Sequence, residues 1–163
     1  MVRNLEKLVS NARRAGVPVI WVQHSDDEME DGSPDWPIVP ELVPAAGEAR
    51  IYKHFNSSFE NTASEETLAQ LGATHISLAS AATNWCIRAT SYAALDRGYD
   101  LTLIKDAHTT GPIEFEDGDT IEAEDIILEL NVAMRWLTYP CHTNRTVSSN
   151  EIDFASHSDV KLV

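Results

Sequence analysis

The chain has little cysteine, little basic charge and no long apolar run. Its 163 residues include two cysteines, Cys86 and Cys141. They sit in unlike contexts with no pairing or ligand spacing, so neither a disulfide framework nor a zinc site is expected. Lys and Arg number 12 against 26 Asp and Glu, a formal net charge of −14. That balance argues against nucleic-acid or membrane partners engaged through a general basic face. No stretch is apolar enough to span a bilayer and no secretory pattern is present, which points to a cytoplasmic protein. Internal repeats and low-complexity segments are lacking too. What remains is the length and ordinary apolar content of a single domain over residues 1–163.

The order of segments is that of an α/β domain. Leu5, Leu8, Val9 and Ala12 recur at helical spacing, so residues 4–15 read as an amphipathic helix stopped by Gly16. Residues 17–24 (VPVIWVQH) form a nearly continuous apolar run, the mark of a strand covered on both faces. Residues 25–48 are polar, acidic and rich in proline. So long a loop is expected to be functional or mobile, with Trp36 and Ile38 either folding over a pocket or anchoring the loop locally. The pattern then predicts a strand over 50–54, a helix over 64–71, a strand over 75–80, a helix over 84–97 and a strand over 101–105. A loop over 106–119, a long helix over 122–137 and a last strand near 145–148 follow; the tail carries no signal.

Strand, helix and strand across 75–105 make a βαβ crossover with a right-handed connection. The whole alternation predicts a three-layer α-β-α domain with a mostly parallel, Rossmann-like sheet. One element is missing from it. The chain opens on a helix leading into a strand, as the second half of a βαβ unit would, and the first strand of a doubly wound sheet is normally central. A gap in the middle of the sheet is the expectation.

Cys86 falls where the strand over 75–80 turns into the next helix, beyond the carboxyl end of a strand, where open α/β sheets place their sites. The first turn of a helix presents unpaired N–H groups and positive potential, a setting that favours thiolate. The plain alternative is a cysteine that packs as a small hydrophobe.

The run ATNWCIRAT over 82–90, followed by AALDRGYD over 93–100 and Asp106-Ala107-His108, resembles the nucleophile region of the isochorismatase-like cysteine hydrolases. Thr83 stands three residues before Cys86, as is typical there. Upstream, IYKHFNSSF over 51–59 is similar to the family's lysine segment. Downstream, IEAEDII over 121–127 and Leu137-Thr138 resemble its last helix and exit. The match runs in order over nearly the whole chain.

The resemblance implies nucleophilic catalysis, with Cys86 attacking a carbonyl carbon to form an acyl-enzyme. It makes Lys53 the cation that supports the charged intermediate; without it, Lys53 reads as an ordinary strand-end lysine. It places an oxyanion hole on the N–H groups of Ala82 and Cys86, with a cis peptide at Ala81–Ala82. His24, Phe55, Phe59 and Trp85 are candidates to line the substrate pocket, and each also reads as plain strand-end or packing. Asp106 and His108 are expected to stabilise their loop, and Cys141 to be structural. The third catalytic group of the family is an aspartate at the end of the first strand, the one this layout lacks. Asp26 and Asp27 follow the next strand and do not match it. A start site placed too far downstream, a fragment, or a degenerate member would each account for this; the first two suit the retained Lys53 and Cys86 better. Without its proton-transfer group the chain as given is expected to be a poor hydrolase.

Metal-dependent relatives use an aspartate and two histidines after the second strand. Here His24, Asp26 and Asp27 have no second histidine close by, so no metal and no other cofactor is expected. The expected function is a metal-free cysteine hydrolase cleaving a C–N bond of a small amide or carbamoyl compound. The alternative is a non-catalytic member that binds a small metabolite or serves as an oligomer subunit. Cys86 argues against isochorismate hydrolysis, which the resemblance associates with members lacking that cysteine. A thiol redox protein would need a resolving cysteine near Cys86. The resemblance also implies a homo-oligomer.

Overall fold

The structure, a computed structural model, describes residues 1–154 and the backbone of Asp159–Leu162. Helix α1 (Val2–Arg14) leads to β1 (Val19–His24), β2 (Ala49–Lys53), α2 (Ser64–Gln70) and β3 (His75–Ala81). A π-helical turn (Thr83–Ile87) runs straight into α3 (Arg88–Asp96) and then β4 (Asp100–Thr109). A two-stranded hairpin, β5 (Ile113–Glu114) with β6 (Thr120–Ile121), precedes α4 (Ala123–Trp136), β7 (Asn144–Val147) and β8 (Asp159–Leu162).

Six strands form a parallel sheet in the order β2-β1-β8-β3-β4-β7. Its strands bury apolar side chains on both faces, which is why they read as runs rather than as alternations. On one face Leu5, Leu8, Val9 and Ala12 of α1 pack with Val19, Trp21, Ile104 and Ala107. On the other, Leu68, Ile87, Leu95, Leu130 and Met134 from the remaining helices close over Ile20, Ile76, Leu78, Leu101 and Leu103. Burying side chains of this size stabilises the fold by roughly 1.5–3 kcal/mol each before entropy is counted. The expected three-layer α/β architecture is therefore observed.

Three elements differ from the sequence reading. Strand β4 extends to Thr109, because β3 runs on through Ala81 and, after a register shift, pairs Ser80 with His108 and Ala81 with Thr109. The polar Lys105 and Asp106 mask that continuation in the sequence. The expected loop over 106–119 contains β5, whose pairing with β6 involves only two residues from each side. Most consequentially, the centre of the sheet is not a gap. Strand β8 pairs with β1 at Val19↔Lys161 and Ile20↔Leu162, and with β3 from His75↔Asp159 to Leu78↔Leu162. With that position open, β1 and β3 would each bury a row of unpaired backbone N–H and C=O groups, which is costly. Four residues are too few for a periodicity to announce. Strand β8 reaches only the level of Ile20 and Leu78; Val22 and Ala79–Ala81 continue beyond it, toward Cys86.

Two polar anchors hold the connections around the sheet. Asp106 accepts from Asn4 Nδ2 at 3.2 Å and from the N–H and Oγ of Ser149 at 2.7 and 2.9 Å, tying α1 to the segment after β7. Glu48 accepts from Arg13, from Trp21 Nε1 at 2.6 Å and from the Ala45 N–H at 2.8 Å. Trp36 is the local anchor of the loop over 25–48: its Nε1–H donates to the His24 carbonyl at 3.0 Å and its ring stacks on Tyr52.

Candidate active site

The site lies beyond the carboxyl ends of β1, β2 and β3. At the end of β3 the chain turns sharply: Ser80 has φ 134°, a conformation that side-chain-bearing residues seldom adopt, and the Ala81–Ala82 peptide is cis. The π-helical turn then begins, with the Ile87 N–H donating to the Ala82 carbonyl at 3.1 Å. Cys86 stands in that wider turn rather than in the first turn of an α-helix. Single π-turns of this kind are frequent at functional sites.

Lys53 ends β2 and is only 4% exposed. Its Nζ lies 3.0 Å from Cys86 Sγ, 2.9 Å from the Phe55 carbonyl and 3.2 Å from His24 Nδ1. An ammonium has three N–H donors and no acceptor, so all three neighbours accept from it. That sets the His24 tautomer: Nδ1 accepts from Lys53 and Nε2–H donates to Asp26 Oδ2 at 3.0 Å. Among the described residues none of the partners of Nζ is a carboxylate. Asp26 is itself held by its loop, Oδ1 accepting from the N–H groups of Glu28 and Met29 at 3.0 and 2.8 Å. The Met29 N–H foremost, then His24 and the Glu28 N–H, keep its carboxyl below the ordinary range.

A second chain of hydrogen bonds fixes the nucleophile turn from behind. Thr83 Oγ1 lies 2.9 Å from His108 Nδ1, and His108 Nε2 lies 3.1 Å from Asn131 Oδ1. Asn131 spends its Nδ2 on the Lys105 carbonyl, so its Oδ1 accepts from His108, and Nδ1 is left to accept from Thr83. Burial pushes the His108 imidazole below its ordinary pKa, the neutral form this pattern requires.

Cys86 and Lys53 line a small cavity of about 30 Å³ with Val22, Ser58, Ser80 and Thr90. Of the residues expected to line a pocket, His24 joins the site through Lys53, and Phe55 through its carbonyl alone. Phe59 does not: it is buried in the core, stacked on Tyr99 with the Arg97 guanidinium over its ring. Trp85 is 57% exposed and outside the cavity, because successive helical side chains diverge by about 100°. Thr90, four residues after Cys86 and so on the same helical face, could have been found by that spacing. Its hydroxyl accepts from the Ser58 N–H at 3.0 Å. Asp26 gave no signal, since its partner was identifiable only once the loop was folded. Among the described residues no group of three or more His, Cys, Asp or Glu is placed to hold a metal.

Chemically, a buried ammonium against a sulfur at the mouth of a turn can stabilise thiolate and carry a proton to or from a substrate.

Comparison with known proteins places the whole fold in a family. The model of the isochorismatase domain matches residues 1–128. The isochorismatase family protein YddQ of Bacillus subtilis (strain 168) is 29% identical over 120 residues, 71% of this chain and 67% of that protein. A streptothricin hydrolase of Streptomyces noursei is 30% identical over 131 residues, 76% of this chain and 51% of that protein. The matches thus span from about half to two thirds of the length of these relatives. Among solved structures, an isochorismatase from Pseudomonas putida KT2440 superposes with a TM-score of 0.79 at 28% identity, covering 93% of this chain and 77% of that one.

Proposed function

The chain belongs to the isochorismatase family, and from that premise we propose that it is a metal-free cysteine hydrolase cleaving a C–N bond of a small amide or carbamoyl compound. Membership supports a hydrolase. The observation that carries the finer reading is the 3.0 Å approach of buried Lys53 Nζ to Cys86 Sγ. The thiolate attacks the carbonyl carbon, and the N–H groups of Ala82 and Cys86 receive the developing oxyanion. Collapse breaks the C–N bond, and the leaving nitrogen takes a proton from the Lys53 ammonium. Neutral Lys53 then accepts a proton from the water that attacks the thioester, Cys86 departs as thiolate, and Lys53 is an ammonium again. The streptothricin hydrolase among the relatives supports hydrolysis as the chemistry, and the cysteine argues against isochorismate as substrate.

The second reading is a member that binds a small metabolite without turnover, favoured by the partners of Lys53 Nζ among the described residues, His24, Phe55 and Cys86, which include no carboxylate to share its proton. Iodoacetamide separates the two. In a catalytic site Cys86 labels faster than exposed Cys141 near neutral pH, and Cys86→Ala abolishes both that labelling and hydrolysis of an amide panel. Labelling of Cys86 no faster than Cys141 would end the enzyme reading. We further propose a cytoplasmic homo-oligomer acting on a small molecule, with sedimentation as the check on assembly.

A further inference from the structure

We infer that His24, braced by Asp26, is a positioning residue that holds Lys53 against Cys86 and releases it when the imidazole is protonated. This rests on the cysteine-hydrolase reading and adds a residue pair to it. Three observations carry it. First, His24 Nδ1 is one of three acceptors around the Lys53 ammonium among the described residues, 3.2 Å from Nζ. The Phe55 carbonyl is another, and together they aim the remaining N–H at Cys86 Sγ. Second, the imidazole is not free to turn. Asp26 Oδ2 accepts from Nε2–H, and Asp26 is immobilised by two backbone N–H groups of its own loop. Third, the backbone beneath is pinned: Trp36 Nε1–H donates to the His24 carbonyl at 3.0 Å.

The charges facing the ring oppose each other. Lys53 lies on the β2 side, with Cys86 beyond it, and Asp26 on the loop side. His54, the residue after β2, turns its Nδ1 to the carbonyl of Ser25 at 3.0 Å. When Nδ1 takes a proton from solvent it becomes a donor. It can no longer accept from Nζ, and it places like charge against the ammonium. Lys53 then swings from His24, and the thiolate loses its aimed partner. Protonation of the His24 ring should therefore lower the reactivity of Cys86 on acidification.

The test is the alkylation rate of Cys86 by iodoacetamide, followed by peptide mass spectrometry between about pH 5 and about pH 8, with Cys141 as internal reference. His24→Leu removes the acceptor and should slow Cys86 about tenfold at neutral pH, the effect of losing a hydrogen bond to a charged group. His24→Asn keeps an acceptor oxygen near the Nδ1 position but cannot titrate. It should recover most of the neutral rate and lose the acid-side fall. If His24→Leu fails to fold, the pH profile of His24→Asn decides alone. A wild-type profile in His24→Asn, or an undiminished rate in folded His24→Leu, overturns the inference while leaving Cys86 a reactive thiol. A wild-type Cys86 no faster than Cys141 overturns the cysteine-hydrolase reading instead.

Discussion

Thr83 donates its hydroxyl hydrogen to His108, 2.9 Å away, across the junction between the nucleophile turn and β4. The bond fixes the residue that starts the π-helical turn, and so the direction in which Cys86 leaves β3. It needs His108 neutral on Nδ1, and burial supplies that condition.

A histidine whose folded pKa is depressed contributes stability above its unfolded pKa and loses it as pH falls through the folded value. Thermal unfolding should therefore show a drop in stability on acidification from about pH 6.5 that His108→Gln removes. Thr83→Val, nearly isosteric, should cost about 1–3 kcal/mol by leaving a buried imidazole acceptor unpaired. Chemical denaturation measures it.

Lys53 is asked for both charge and a transferable proton. Lys53→Met should lower hydrolysis by about 10²–10⁴, and Lys53→Arg should not restore it. A guanidinium keeps the charge but does not give up its proton. Steady-state kinetics on any substrate found would show the loss in kcat/KM, and a Lys53→Arg enzyme of normal activity would remove proton transfer from the role of this residue.

Glu48 ties α1, β1 and the proline-rich loop together, and its carboxyl is held down to about 2, chiefly by Arg13, with Trp21 and Ala45 assisting. Stability from a depressed carboxylate is full above its unfolded pKa and is lost as pH falls from about 4.5 toward 2. Arg13 is partly exposed, so solvent screening reduces the effect to about 1–2 kcal/mol. Glu48→Gln should lose that amount at neutral pH and flatten the acid limb of the unfolding profile, with Cys86 labelling in the folded state unchanged.

Strand β8 occupies the middle of the sheet. A proline at Lys161, which pairs with Val19 on one side and Ser77 on the other, removes a ladder hydrogen bond from a central strand. Lys161→Pro should cost about 1–3 kcal/mol by leaving a buried ladder acceptor unpaired and speed amide exchange in both β1 and β3. Exchange confined to the C-terminal segment would show that the two neighbours do not depend on β8.

Much of this protein was written locally. Leu5, Leu8, Val9 and Ala12 announce α1 by spacing, the run over 17–24 announces β1, and Gly98 closes the helix that begins just after Cys86. Such features depend on residues within a turn or two of each other, so periodicity and stop signals report them faithfully. Cys86 was marked by its place at a strand-to-helix turn, but its partnership with Lys53 was legible through resemblance alone, since nothing in the spacing of residues 53 and 86 says that they meet.

Tertiary structure decided the rest. It brought Lys53 Nζ to Cys86 and His24 from two different elements, moved Phe59 from the expected pocket into the core, and left Trp85 facing outward. It also settled the sheet. The order of segments predicted an open centre; in the fold, the four residues Asp159–Leu162 lie there. Strand pairing is satisfied by whichever backbone can reach the unpaired edges, and reach depends on the whole chain's path. Local sequence determined which residues could do chemistry here. Only the packing of distant segments determined which of them stand within a hydrogen bond of one another.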